Sequence, residues 1–337
     1  MIRKALKKVT DGKDLPESEM EEVMSQIMNG EVEPALLGAF LTGLRMKGES
    51  TQEIAGAAKV MREKAEKVLV SAEKVLDTCG TGGDGADTFN ISTASAFVAA
   101  GAGITVAKHG NKAVSSRSGS ADVLAKLGVN VQASKATVEK CIQEVGIGFL
   151  FAPLLHPAMK NAVAVRKALG IRTIFNVLGP LTNPAGAQYQ VIGVYDPRWL
   201  VPFAEVLKDL GSKRAFIVHG YDGLDEIALT SKSHVAELSD GQISTYDIEP
   251  ERFGLEKCHL EDLKGGDPDT NAQLIRRLLD GEKGPKRNVV LLNAAAGIAA
   301  VKGLSLEEGL KEAEKSIDSG SAKKKLELLV LMSAKSN

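Results

Sequence analysis

Asp77-Thr78-Cys79-Gly80-Thr81-Gly82-Gly83-Asp84-Gly85 is the stretch whose reading decides the fold. An apolar, strand-like run, Val75 to Thr78, leads into four glycines within six residues. A second run, Ile104 to Ala107, leads into Lys108-His109-Gly110-Asn111-Lys112-Ala113-Val114-Ser115-Ser116. Two strand ends, each followed by a loop rich in backbone N–H groups, hydroxyls and a cation, make a crevice suited to phosphate.

Working outward, strands and helices alternate: a helix from about Ser92 to Ala100, a helix Ala121 to Leu127 closed by Gly128, then strands at Val191 to Tyr195, Arg214 to Val218 and Val289 to Leu292. His234–Leu238 and Gln242–Tyr246, joined by Ser239-Asp240-Gly241, read as a hairpin. The fold class is α/β, a mostly parallel sheet with helices on both faces, preceded by a small all-helical domain. In that first part Met20, Val23, Met24, Ile27 and Met28 recur at helical spacing, and Ser50-Thr51-Gln52-Glu53 is a capping box. Ala35 to Met46 is apolar on nearly every side, which predicts burial all round, at the centre of the bundle or against a second subunit. His156 to Pro184 interrupts the α/β rhythm with two helices and the proline-bracketed Gly179–Pro184 turn. It is expected to pack back on the helical lobe, so the domains are 1–70 with 157–182, and 73–156 with 183–337. Ser305 to Ser333 reads as two amphipathic helices.

Bulk properties exclude several classes. With 42 basic and 43 acidic residues the net charge is −1, which gives no field to recruit nucleic acid or an anionic membrane. Cys79, Cys141 and Cys258 lie too far apart for a zinc site or a disulfide framework, which points to a reducing, cytoplasmic setting. The N-terminus lacks the apolar core of a signal peptide, and no run of about 18 apolar residues predicts a membrane span.

Gly80, Gly82 and Gly85 satisfy the dinucleotide pattern, but its context fails. Asp84 would meet a bare pyrophosphate, and the next strand ends in Lys108 rather than an acid for a ribose hydroxyl. A Walker A loop is excluded because no Lys-Ser or Lys-Thr follows the glycines at the required spacing. Taken singly, each glycine turn or polar residue is ordinary, and either Asn90 or Ser92 would cap the helix it opens. Together, Thr88, Asn90, Ser92, Thr93, Lys108, Asn111, Ser115, Ser116 and Ser120 beside strand ends argue for an anion. An acid in that loop is consistent with a divalent metal accompanying the phosphate, and Asp225-Glu226, following the strand that ends at Val218, is the matching carboxylate pair.

Six ordered motifs then resemble the anthranilate phosphoribosyltransferase family, within the nucleoside phosphorylase and phosphoribosyltransferase superfamily. They are Gly80–Asp84, Asn90–Thr93, Lys108–Asn111, Ser118–Leu124, Gly179–Pro184 and Asp222–Glu226. The resemblance covers essentially the whole chain. It implies attack of the anthranilate amine on C1 of 5-phosphoribosyl 1-pyrophosphate, a step of tryptophan biosynthesis, by a cytoplasmic homodimer using Mg²⁺, two ions per monomer. It implies that Gly80, Gly83, Asp84, Thr88, Asn90, Ile91, Ser92 and Thr93 hold pyrophosphate and ribose. Lys108, His109, Gly110, Asn111, Lys112, Ala113, Val114, Ser115, Ser116 and Ser120 would close over the phosphoribosyl group. Gly80, Asn111 and Arg166 would contact anthranilate; Ser92, Asp225 and Glu226 would bind metal; Lys108, Asn111 and Asp84 would be the catalytic set. His109 reads as positional rather than as a general base, since an aryl amine becomes strongly acidic as it bonds. The chain departs from the family at Lys112, where Arg is common, and at Ala164, where Pro is usual. The alternatives are a pyrimidine nucleoside phosphorylase, which needs no acidic metal pair, and a non-catalytic nucleic-acid-binding relative, which should carry a basic surface.

Overall fold

In a computed structural model, residues 1–113 and 117–335 are described. Seven strands form one sheet: β1 Val75–Gly80, β2 Thr105–Gly110, β3 Ile147–Phe151, β4 Tyr189–Gly193, β5 Arg214–Gly220, β6 Ser233–Ser239 and β7 Gln242–Ile248. Their order is β3-β2-β1-β4-β5-β6-β7. The first five are parallel, and β6 and β7 add the antiparallel hairpin at one edge. The chain winds outward from β1 in one direction to β3 and from β4 in the other. The β1/β4 boundary is therefore a topological switch point, where an α/β sheet opens a crevice beyond its strand C-termini. Gly80 pairs with Gly193 at that boundary.

Both sheet faces are covered, which is why the central strands read as continuous apolar runs. Phe216 and Val218 join a core formed with the helices Ile91–Gly101, Pro285–Lys302 and Ser321–Ser333. The alternate residues Ala215 and Ile217 face the helix Leu200–Asp209 and the N-terminal helices. That N-terminal lobe comprises Ile2–Thr10, Glu17–Met28, Pro34–Lys47 and Thr51–Lys64. The capping box forms as read: Ser50 Oγ accepts the Glu53 N–H at 3.3 Å and Glu53 Oε2 accepts the Ser50 N–H at 2.8 Å.

One expectation is corrected, one strand was not expected, and one expectation is met only in part. Val289 to Leu292 is not a strand but part of the helix Pro285–Lys302, buried on nearly every side at the centre of the large core. A short apolar run is ambiguous by periodicity, and only the length of the element separates a buried helix from a strand. Strand β3, with Phe149 and Phe151, lies in a segment not expected to hold one. The apolar third helix buries Leu37, Phe40, Leu41 and Leu44 but leaves Met46 83% exposed, so the chain by itself does not enclose it.

The interrupting segment forms the helices Lys160–Leu169 and Phe175–Leu178 with short turns around them. Ala162 and Val165 enter the same core as Met20 and Leu37. Asn161 Nδ2 also donates to the Met28 carbonyl at 2.8 Å, fastening the segment to the N-terminal lobe. Among the described residues no single helix is long and apolar enough to cross a membrane.

Candidate active site

The crevice is assembled where β1 and β4 end. Glycine is required at both ends, because Asp225 lies directly over them. A Cβ on Gly80 would stand 2.7 Å from Asp225 Oδ2, and one on Gly193 would overlap the Asp225 carbonyl. From there Asp225 Oδ2 accepts the Gly82 N–H at 2.8 Å, and Glu226 Oε1 accepts the Ser92 N–H at 3.2 Å. The acid pair thus reaches the glycine loop and the start of the following helix, although 143 and 134 residues separate the partners in sequence. Gly82, Gly83 and Gly85 have positive φ, the left-handed backbone that turns this loop across the crevice.

Burial, reinforced by the neighbouring Asp84 and Glu226 carboxylates, pushes the Asp225 carboxyl well above its usual range. Glu226 is pushed up to about 8, chiefly by burial and against the pull of Lys108. Two desolvated acids with a third beside them create a strong demand for positive charge. The Lys108 Nζ meets it in part, donating to the Thr78 carbonyl and reaching Ser92 Oγ at 3.4 Å. Its own pKa is lowered by burial. The oxygens gathered here are the Asp225 and Glu226 carboxylates and the Ser92 hydroxyl, the kind of ligand Mg²⁺ prefers. Among the described residues no three His, Cys, Asp or Glu side chains form a ready-made metal cage.

The second loop is tied down from both sides. Ser120 Oγ donates to the Asn111 carbonyl at 3.2 Å, and Asp122 Oδ2 accepts the N–H groups of Ala113 and Gly119 at 2.8 and 3.0 Å. Gly110 is packed so that a Cβ would strike Ser120 and Phe149. Asn111 and Lys112 are exposed at the mouth. Val114, Ser115 and Ser116 lie outside the described residues. His109 is buried, its ring Nδ1 3.1 Å from the Gly179 carbonyl and its centroid 5.1 Å from that of His156. Burial and the neighbouring His156 hold its pKa down to about 3, so the imidazole is neutral.

Asn90 sits at the helix start but does not cap it with its side chain. Its amide instead donates to the Ser118 carbonyl at 3.0 Å, and its oxygen accepts from Asn271 at 3.0 Å and from Ser118 Oγ at 3.2 Å. The capping expectation is therefore corrected: Asn90 ties the two loops together. Ile91 and Thr93 are buried at 1% exposure, so Ile91 can offer a ligand only its backbone. Thr88 bridges to Lys264, anchoring the far end of the glycine loop. Asp84 Oδ1 accepts the Ala86 N–H at 3.1 Å, and its carboxyl group neighbours that of Asp225. Arg166 lies over the Phe175 ring at 5.2 Å, and among the described residues no hydrogen bond joins it to Gly80 or Asn111.

Reading motifs one at a time missed several residues. Arg172 donates to the Gly83 carbonyl while its guanidinium stacks 4.0 Å from the Tyr195 ring centroid, linking the inserted segment to the glycine loop. Asp77, Asn183 and Asn271 were likewise passed over. A charged residue within an otherwise apolar strand was the available signal for Asp77.

Comparison with known proteins places the whole chain in one family. Residues 72–323 match the a/b domain of a glycosyl transferase family, and residues 3–65 its helical bundle domain. The chain is 56% identical to the anthranilate phosphoribosyltransferase of Anaeromyxobacter dehalogenans (strain 2CP-C), covering 98% of both chains. Its structure is similar to the crystal structure of anthranilate phosphoribosyltransferase from Thermus thermophilus, with TM-score 0.92, 47% identity and coverage of 98% and 99% of the two chains. It is similar also to the Saccharomyces cerevisiae enzyme in complex with PRPP and Mg, at TM-score 0.90 and 31% identity over 99% and 98% of the chains. With that identity over its full length and both domains in place, the chain belongs to the anthranilate phosphoribosyltransferase family.

Proposed function

We propose that this chain transfers the phosphoribosyl group of 5-phosphoribosyl 1-pyrophosphate to the amino group of anthranilate, releasing pyrophosphate. The observation that carries the reading is the meeting of Asp225 with the glycine loop and of Glu226 with Ser92, beside buried Lys108. A glycine loop alone would suit many phosphates. Two half-buried acids at its rim suit a phosphate that arrives with a divalent cation.

Ser92, Asp225 and Glu226 are our candidates for holding Mg²⁺, two ions per protomer being the expectation. When bound, the metal supplies charge stabilisation for the departing pyrophosphate. The protein's own contribution is to donate and to orient. Lys108 and the N–H groups of Gly83 and Asp84 are our candidates for neutralising phosphate oxygens, those of Thr81 and Gly82 being taken by Gly193 and Asp225, with Thr88, Asn90 and Thr93 our candidates for fixing the loop that presents them. The loop from Lys108 to Ser116, with Ser120 behind it, is our candidate cover for the ribose phosphate. Arg166 has the planar fork suited to a carboxylate, and with Gly80 and Asn111 it is the candidate anthranilate contact. Holding amine and C1 in line removes much of the entropic barrier. His109, buried, neutral and bonded to Gly179, fits a positioning role better than proton transfer.

We further take residues 157–182 to belong with 1–70 as one helical unit, an idea supported by the packing of Ala162 and Val165 among its helices. The exposed face of Pro34–Lys47, with Met46, is our candidate surface for a homodimer, and the cytoplasm the expected location. The acid pair sets the chain apart from a pyrimidine nucleoside phosphorylase, and its charge of −1 from a nucleic-acid-binding relative.

The decisive assay is the disappearance of anthranilate fluorescence. It should require protein, 5-phosphoribosyl 1-pyrophosphate and Mg²⁺ together; turnover unaffected by chelation would remove the metal from the scheme. A monomeric mass in solution would overturn the dimer.

A further inference from the structure

One buried acid in the crevice floor has no part in the chemistry so far. Asp77 is 0% exposed, in the middle of β1, three residues before Gly80. Its Oδ1 accepts the backbone N–H of His109 at 3.0 Å. Its Oδ2 accepts Asn183 Nδ2 at 2.8 Å and lies 3.5 Å from Cys79 Sγ. All three partners are donors, which matches the ionised carboxylate. Lys108, next to His109, supplies the nearby positive charge.

Each partner stands on a different part of the site. His109 opens the second loop. Asn183 belongs to the Gly179–Pro184 turn through which the inserted segment returns to the sheet, and its Nδ2 also donates to the Ala107 carbonyl at 2.8 Å. The His109 ring closes a second link to the same turn, at the Gly179 carbonyl, 3.1 Å away. The turn leads back through Phe175, on which Arg166 lies. One carboxylate therefore holds the strand of the glycine loop, the phosphoribosyl loop and the segment bearing Arg166 in register.

We propose that Asp77 is a positioning residue that aligns the phosphoribosyl loop with the inserted helical segment, so that both substrates are bound in mutual register. The inference rests on the reaction proposed above. Its physical basis is that a buried carboxylate with three donors tolerates little displacement, because each lost bond leaves a buried polar group unsatisfied.

The test uses the full chain with Mg²⁺, 5-phosphoribosyl 1-pyrophosphate and anthranilate. Asp77→Asn presents an amide N–H₂ to a neighbour that is itself a donor, so the network must open. KM for both substrates should rise at least tenfold, whereas a residue that only supports the fold would change melting and leave KM alone. A folded Asp77→Asn protein with both KM values within twofold of the parent would overturn the proposal. Asn183→Ala serves if that variant does not fold. It keeps the carboxylate and its bond to His109 but frees the turn, so KM for anthranilate should rise at least threefold; an unchanged value there also overturns it. Hydrogen exchange provides a readout independent of turnover. Amides around residues 105–113 and 177–184 should lose protection together in Asp77→Asn, and protection lost in only one of the two would refute the coupling. Failure of the parent protein to turn over would instead strike the proposed reaction, leaving the exchange result to decide this inference.

Discussion

Asp77, fully buried, and the half-buried Asp225–Glu226 pair are acids of one crevice, yet they are satisfied in opposite ways. Asp77 is met by two N–H donors and a thiol, all within the protein. Asp225 and Glu226 each accept a single backbone N–H, and Asp84 adds a third carboxyl beside them. Burial raises the pKa of all three. The difference lies in who completes the shell. Asp77 is completed by the fold and holds it together, whereas the pair is a local electrostatic cost that an incoming cation would relieve. A shell closed by the fold and a shell left open thus stand side by side among residues of one type in one crevice.

The sharpest way to break this contrast is Asp225→Asn with Glu226→Gln. Metal-dependent turnover should fall about a thousandfold or more, roughly 4 kcal/mol of transition-state stabilisation. The thermal midpoint in metal-free buffer should hold or rise, because like-charge repulsion is removed. A variant that melts early with activity intact would reverse the two roles. Asp77→Asn should do the opposite to stability, lowering it by about 3 kcal/mol in urea titration, the usual cost of breaking a buried, hydrogen-bonded charge network. An unaltered urea midpoint would deny it a structural share.

The neighbouring imidazoles extend the comparison to pH. Burial holds His109 down to about 3 and His156 to about 4, both below the ordinary 6.5. As pH falls through 6.5 the unfolded chain takes up these protons before the folded one does. Their stabilising contribution is therefore complete above that value and is lost progressively as pH falls, toward about 4 for His156 and about 3 for His109. In His109→Gln, the loss of stability between pH 8 and pH 5 should shrink by roughly 2 kcal/mol, at 1.36 kcal/mol for each pKa unit. Equal slopes for the two proteins would mean His109 is already solvated. The smallest effect expected is at the rim. Lys112→Arg would restore a two-pronged phosphate grip on an exposed side chain, lowering KM for 5-phosphoribosyl 1-pyrophosphate about threefold, or roughly 0.7 kcal/mol. A higher KM would place Lys112 away from the phosphate.

The contrast also marks where sequence reading stops. The pair was legible because adjacent Asp and Glu after a buried strand repel one another and so call for a cation. Asp77 is not legible in this way, because its partners stand 32 and 106 residues away. Arg172 escaped for the same reason, since its contact with Gly83 spans 89 residues. Either Asn90 or Ser92 is expected to cap because local hydrogen bonding is what a short polar side chain at a helix start usually does. For Asn90 the partner Asn271, 181 residues on, won that competition.

By itself the sequence determined what depends on near neighbours: the helical first lobe, the alternation that makes a parallel sheet, the hairpin, the strand-end loops and the acid pair on which the proposed metal-and-phosphate reading rests. These follow from periodicity, turn chemistry and charge, all of which act over a few residues. Tertiary structure alone decided which strands are neighbours, that Val289–Leu292 is helical, and that Gly80 and Gly193 lie side by side beneath Asp225. Those outcomes depend on surfaces brought together from distant parts of the chain. The energy of burying an apolar run is similar in helix and strand, so only packing against the rest of the core chooses between them.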